Sequence, residues 1–314
     1  MSAVFYKEEQ IGTKAASLLY LSKLNLSPSP LLILDQIPPE NGFVNLLKEA
    51  GFNDEQKIGV RFSYAGLMEL PRSKGLAGFD KIYAFVQKYS RSNAVTIIHP
   101  FVDASFVGTF HFETNGSFLF NLVKSEIWEP SVTNNCDIFL INDKKKVLRY
   151  KKARFIYIPT DEVIKKEKIE PLTQEEIEYL VGIFEKYKIR LKNLRKLKDL
   201  ITEFIITPSG KMVCMEMESI SRGVDYSAIV EDNFFPIKSY DDIKKWDKKS
   251  DLLLTLTVYR KDKDKFLKLI DEIKKYKSEV YVEYGLLSHP AILLREVGLA
   301  TKPYLKDYEE IIIK

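Results

Sequence analysis

Val282-Glu283-Tyr284-Gly285-Leu286-Leu287-Ser288-His289-Pro290-Ala291-Ile292-Leu293-Leu294-Arg295-Glu296-Val297-Gly298 carries more information than any other run in this chain. Pro290 fixes its own φ and biases His289 away from the helical basin. The residues therefore predict an extended His289 capping a helix that begins at Pro290. Ala291, Leu294 and Val297 give that helix an apolar face, and Gly298 is placed to end it. First-turn N–H groups have no partner inside a helix and the dipole's positive end points outward, so a phosphoryl group on the imidazole would be held rather than repelled. Gly285 leaves room for a ligand to approach the backbone. An isolated histidine in this setting reads most simply as a buried cap.

This histidine is not isolated. Gly285-Leu286-Leu287-Ser288-His289-Pro290-Ala291-Ile292, with Arg295-Glu296-Val297-Gly298 behind it, resembles the phosphohistidine motif of the phosphoenolpyruvate synthase and pyruvate phosphate dikinase family. That motif runs Gly-Gly-x-x-Ser/Cys-His-x-Ala-Ile-x-x-Arg-Glu-x-Gly. The chain departs from it at Tyr284, where a glycine is usual, and at Pro290, where alanine is usual.

Composition sets the outer limits. The 314 residues are enough for two domains with cores of their own. A hydrophobic content of 45% with 29% charged residues excludes a disordered or fibrous chain. A formal charge of +4 is too mild to argue for a nucleic acid partner. The densest basic run, from Lys186 to Lys198, carries apolar residues at 189, 191, 194 and 197 and reads as the solvated face of an amphipathic helix. Cys136 and Cys214 lie far apart in strand-like runs, as buried thiols of a reducing compartment would. No run reaches membrane-spanning length, and the first residues lack a basic start followed by an apolar core, so no membrane partner and a cytoplasmic location are expected.

Along the chain, Gly12-Thr13-Lys14 opens a helix that runs to Leu24 and is followed by Pro28, Pro30 and the strand-like Leu31–Leu34. A lysine just inside a helix start can reach phosphates or simply stay solvated. A short helix from Val44 to Ala50 comes next, then Ile58-Gly59-Val60-Arg61-Phe62-Ser63, a strand delivering an arginine whose guanidinium fork suits a polyphosphate. A helix follows from Phe79 to Lys88, and then short strands in quick succession from Ala94 to Ile158. Thr173 and Glu176 have capping-box spacing for a helix to Lys188, after which the basic run forms a second helix. The turn Pro208-Ser209-Gly210-Lys211 places Glu203 and Glu216 on adjacent antiparallel strands, with Glu216 and Glu218 on one face. Acidic residues on neighbouring strands beside a triphosphate are what Mg²⁺ binding needs. Three histidines in all, His99, His111 and His289, leave no metal cluster to build.

The same family resemblance extends through these segments. Gly12-x-Lys14 is similar to its opening Gly-Gly-Lys. Val60-Arg61-Phe62-Ser63, Met68-Glu69-Leu70-Pro71 and Gly75-Leu76-Ala77-Gly78-Phe79 echo its Val-Arg-Ser-Ser, Glu-Asp-Leu-Pro and Phe-Ala-Gly-Gln in one order. Ile98-His99-Pro100-Phe101-Val102 resembles the strand that lines its adenine pocket, with His99 in place of glutamine. Glu203 matches its metal-binding glutamate, Glu216 replaces a glutamine, and Glu218 stands where the family has an arginine.

The resemblance implies an α/β (α+β) protein. It would pair a two-lobed ATP-grasp nucleotide-binding domain over 1–225, with lobes of about 1–93 and 94–225, with a small swivelling β/β/α phosphohistidine domain over 226–314. The cofactors implied are ATP and Mg²⁺. Lys14 and Arg61 would neutralise charge, His99, Phe101, Glu203 and Glu216 would bind the nucleotide complex, and Glu203, Glu216 and Glu218 would hold metal. His289 would take the β-phosphate with release of AMP and phosphate, and pass it to an unknown acceptor, a small molecule or a separate protein. The family's phosphoenolpyruvate-binding barrel has no counterpart here. The alternatives are a degenerate ATP-binding regulator, a subunit of a split phosphoenolpyruvate synthase, or a ligase that makes an acyl-phosphate.

Overall fold

The computed structural model describes residues 8–64, 71–73, 75–112, 118–124, 136–141, 147–151, 155–159, 164–168, 170–194, 200–219, 234–255, 263–282, 289–304 and 309–313. Elements are numbered along the chain. By contacts the chain divides into two compact units, one of 1–103 with 202–218 and one of 104–201 with 219–314.

The first unit is built on a three-stranded antiparallel sheet in the order β1 (Leu32–Leu34), β3 (Ala94–Pro100), β2 (Ile58–Tyr64). Both faces of β2 are buried, and period two sorts its residues. Ile58, Val60 and Phe62 face a cluster with Phe43 and Leu47 of α2 (Glu40–Glu49) and Phe79, Ile82 and Val86 of α3 (Phe79–Tyr89). Gly59, Arg61 and Ser63 point the other way, toward α1 (Glu8–Lys23), which buries Ile11, Ala15, Leu18 and Leu21 at helical spacing. Phe62 thus packs away from the arginine's face, with its ring 6.2 Å from that of Phe85. The β2 edge is extended by the following loop: Ser73 N–H donates to Val60 O at 2.9 Å, and Leu76 and Ile58 exchange two backbone bonds of 2.8 Å.

The hairpin β10 (Leu200–Ile206) and β11 (Met212–Ser219) completes this unit. Its turn closes by Thr207 N–H donating to Lys211 O at 3.0 Å, with Gly210 at φ 74° as a turn of this kind requires. Cys214 N–H donates to Leu26 O at 2.6 Å, tying β11 to the segment after α1.

The second unit contains the antiparallel run β4 (Phe106–Phe112), β5 (Phe118–Lys124), β6 (Asp137–Ile141), β7 (Val147–Lys151) and β16 (Glu309–Ile311). One face gathers Phe106, Phe110, Phe118, Phe120 and Phe139, and Phe120 stacks 3.9 Å from Phe184 of α4 (Gln174–Leu194). A separate hairpin joins β8 (Phe155–Pro159) to β9 (Ile164–Lys168). Four parallel strands in sequential order, β12 (Phe234–Ile237), β13 (Asp251–Leu254), β14 (Glu279–Val282) and β15 (Ala300–Pro303), form another sheet. Its connections carry the 3₁₀ turn Tyr240–Lys244, α5 (Lys263–Lys274) and α6 (His289–Glu296). Its core contains Ile237, Trp246, Leu254, Phe266, Ile270, Val282 and Leu294.

Several expectations are corrected here. Residues 186–194 of the basic run are the end of one continuous helix, α4, because no glycine or proline interrupts it after Gly182, and the rest of the run lies outside the described residues. A helical turn from Glu8 precedes the expected start, and the helix carrying Lys14 begins anew at the kink at Gly12. His289 is the first residue of α6 and not a residue flanking it. Among the described residues, segment 234–304 shows one parallel sheet and no second β layer. Residues 283–288, the side chain of His289, residues 65–70 and the side chain of Glu218 lie outside the described set. No helix among the described residues is long and apolar enough to cross a membrane.

Candidate functional site

Unit 1 gathers Lys14, Arg61, Glu203 and Glu216. Lys14 lies one short step beyond the kink at Gly12, whose φ of 73° and ψ of 161° restart the helix. The restart is capped from outside the helix, where Ala15 N–H donates to Ser63 Oγ at 3.1 Å. Ser17 Oγ donates to Lys14 O at 2.9 Å and holds the same turn. Since Ser63 follows Arg61 by two residues, one face of β2 both caps the helix carrying the lysine and presents the arginine.

Glu216 on β11 takes one cation on each carboxylate oxygen: Lys14 Nζ lies 3.5 Å from Oε1 and Arg61 NH1 lies 3.7 Å from Oε2. The arginine and glutamate side chains are 9% and 7% exposed, while that of Lys14 is 51% exposed, so the site opens to solvent on the lysine's side. Burial lowers the Arg61 pKa, and the charges of Glu216 and Glu203 push it back up. Glu203, as a residue, is only partly buried, but its carboxyl is desolvated and raised in pKa, first by that burial and then by the neighbouring Glu216. Arg61, Lys14 and Arg72 oppose that rise.

His99 on β3 is paired with Gly59 on β2. Its Nδ1 lies 2.8 Å from Pro100 O, which assigns the proton to Nδ1 and leaves Nε2 as an acceptor with no hydrogen-bond partner among the described residues. Burial, then the Arg61 charge, lowers its pKa to about 4, so the ring is neutral at pH 7. The ring occupies the space a side chain at 59 would need: a Cβ there would come 2.7 Å from His99 Cε1. Phe101 covers Gly75, where a Cβ would lie 3.2 Å from the phenyl ring.

The fold therefore brings together Lys14, Arg61, Glu203 and Glu216, with His99 beside them on the sheet. His289 belongs to unit 2. Two residues with a part in the site carry no role in the sequence reading. Ser63 is recoverable from alternation with Arg61, whereas Arg72, whose charge reaches Arg61 and Glu203, sits in a loop that gives no periodic signal. Two carboxylates on neighbouring strands fit Mg²⁺, which takes one or two carboxylate oxygens and completes its shell with phosphate and water. No group of three or more metal-ligating side chains occurs among the described residues.

No family model and no curated protein matches the chain. Among solved structures it is similar to D-alanyl-alanine synthetase A from Vibrio cholerae at 15% identity, over 66% of this chain and 55% of that one, with a TM-score of 0.39. It is also similar to D-alanine–D-alanine ligase from Bacillus anthracis complexed with ATP, at 13% identity over 66% and 55%, with a TM-score of 0.35. A third similarity is to an ADP complex of N5-carboxyaminoimidazole ribonucleotide synthetase, at 10% identity over 67% and 45%, with a TM-score of 0.37. The chain spans about half the length of these structures. Similarity this distant assigns no family.

Proposed function

We propose that this chain binds ATP with Mg²⁺ at the Lys14, Arg61, Glu203 and Glu216 cluster and transfers a phosphoryl group to His289, for delivery to a separate acceptor. The observation that carries the nucleotide reading is the convergence of Lys14 and Arg61 on a single buried carboxylate with Glu203 beside it. Two cations fixed on one carboxylate, with a second carboxylate beside it, is an arrangement that suits a metal–polyphosphate complex. The histidine step rests on the resemblance around His289. The corresponding domains are nucleotide binding over 1–225 and histidine carrier over 226–314.

Mg²⁺, held by Glu203 and Glu216, would supply charge neutralisation across the phosphates. Arg61, fixed by burial between β2 and α1, orients a phosphate with little loss of side-chain freedom. Lys14, on the exposed side, meets the entering polyphosphate. His99 and Phe101 are the residues proposed to line the base. In the transfer a ring nitrogen of His289 forms the bond to the β-phosphorus. The bond to the leaving AMP oxygen breaks, and hydrolysis of the bond to the terminal phosphate releases inorganic phosphate.

A second reading, a nucleotide-binding regulator without phosphotransfer, is favoured by Glu218 in place of the family arginine. One assay separates the readings. Wild type and His289→Ala are incubated with Mg²⁺ and ATP labelled at the β or the γ position, and acid-labile, alkali-stable phosphoprotein is scored. Label from the β position alone, absent from the variant, is the expected result. ATP binding with no label in either protein would replace phosphotransfer by the regulator, and ADP formed only with a carboxylate co-substrate would replace it by a ligase.

A further inference from the structure

We propose that Glu216 fills the polyphosphate site of the metal-free protein, and that a divalent cation must draw its carboxylate away before polyphosphate can bind between Lys14 and Arg61. This rests on the nucleotide reading above and adds an order of binding to it.

The argument is geometric. Each oxygen of the Glu216 carboxylate faces a different cation, at 3.5 and 3.7 Å, so one internal anion spans the two groups a phosphate would bridge. Cys214 N–H, bonded to Leu26 O, anchors the β11 backbone two residues away, so displacement of the carboxylate falls to the Glu216 side chain rather than to the strand. A metal-free polyphosphate entering here meets cations that are already compensated and two carboxylates that repel it. The second carboxylate, Glu203, feels Glu216 as a like charge. A divalent cation placed between them removes that repulsion and competes for the same oxygens of Glu216. Lys14 and Arg61 are then turned over to the incoming phosphates. The cation thus exchanges an internal anion for an external one, and by linkage polyphosphate must favour cation binding by the same factor.

The decisive measurement is calorimetric titration of ATP, and separately of inorganic tripolyphosphate, into wild type and Glu216→Gln, in EDTA and in Mg²⁺. In EDTA, Glu216→Gln should bind both probes at least about tenfold more tightly than wild type, a difference of about 1.4 kcal/mol. Mg²⁺ should tighten wild type by about tenfold or more and the variant by much less. Glu216→Asp keeps a negative charge beside buried Arg61 but is too short to span both cations. It should fall between the two proteins and provides the test if the glutamine variant does not fold. Wild type binding metal-free probe as tightly as Glu216→Gln and Glu216→Asp would overturn the gate while leaving the nucleotide site standing. Failure of wild type to bind ATP even with Mg²⁺ would overturn the nucleotide reading and the gate together.

Discussion

Gly12→Ala tests whether the kink in α1 is what places Lys14. Gly12 has φ 73° and ψ 161°, a region that residues with a Cβ enter only under strain, at a cost of about 1–3 kcal/mol. The added Cβ would also lie 2.5 Å from Tyr64 O and 2.7 Å from Ser63 Oγ. The first of these is backbone and cannot swing aside, so overpacking adds about 1–3 kcal/mol and the whole comes to about 2–6 kcal/mol. The second contact is with the hydroxyl that accepts from Ala15 N–H, so relieving it uncaps the turn that carries Lys14. Urea unfolding followed by far-ultraviolet circular dichroism gives the stability loss, and hydrogen exchange in α1 and β2 locates it. Gly182→Ala is the matched control: it sits in α4 with nothing within 4 Å of the new Cβ, and should gain about 0.5–1 kcal/mol from helix propensity. A Gly12→Ala protein within about 0.5 kcal/mol of wild type, with unchanged exchange in α1, would refute the proposed role of the kink.

Three further outcomes follow from the same unit. His99 titrates at about 4 when folded against 6.5 when unfolded, so the unfolded chain binds the extra proton between those values and stability falls as pH drops through that window. The loss should approach about 3 kcal/mol near pH 4 and be missing from His99→Gln; parallel stability–pH curves for the two proteins would contradict it. Arg61→Met leaves the buried Glu216 carboxylate without its inner cation and should cost about 3–5 kcal/mol, and adding Glu216→Met should return a measurable part of that loss in a double-mutant cycle. Asp54 Oδ1 accepts Phe79 N–H at the start of α3, so Asp54→Ala should lower stability by about 1 kcal/mol, read as a shift in the urea midpoint at unchanged slope.

What the sequence disclosed, and what it withheld, follows from how far each signal reaches. Period two along Ile58–Ser63 places Arg61 and Ser63 on one face and Phe62 on the other, and the turn Pro208–Lys211 puts Glu203 and Glu216 on neighbouring strands. Those are local patterns, and the structure follows them. That Glu216 sits against Lys14 and Arg61 is not legible, because the two ion pairs join residues more than 150 positions apart in the chain. The same holds for β16, a three-residue strand near the end of the chain that pairs with β7. A strand that short has no periodicity of its own. The sequence reads as two helices meeting at Lys188 because a dense basic run resembles a new segment. Charge does not break a helix, and only a residue without the needed backbone geometry does. The single parallel sheet of β12 to β15 departs from the expected β/β/α layering, and its connections pass through the 3₁₀ turn, α5 and α6 because parallel neighbours need a crossover.

Cys214 has no exposed surface, and burial pushes its thiol pKa far up; it lies two residues from Glu216 on the same face of β11. A thiol in that state is invisible to alkylating reagents until its strand lifts away from the partner at Leu26. The protein thus carries its own clock at the candidate site. The rate at which a maleimide or a chromogenic disulfide consumes this sulfur reports how often β11 opens, with no label or new residue introduced. Run with and without ATP and Mg²⁺, the clock would show whether ligand binding holds the strand shut, and Cys136, equally buried but in the other unit, supplies the comparison from the same reaction.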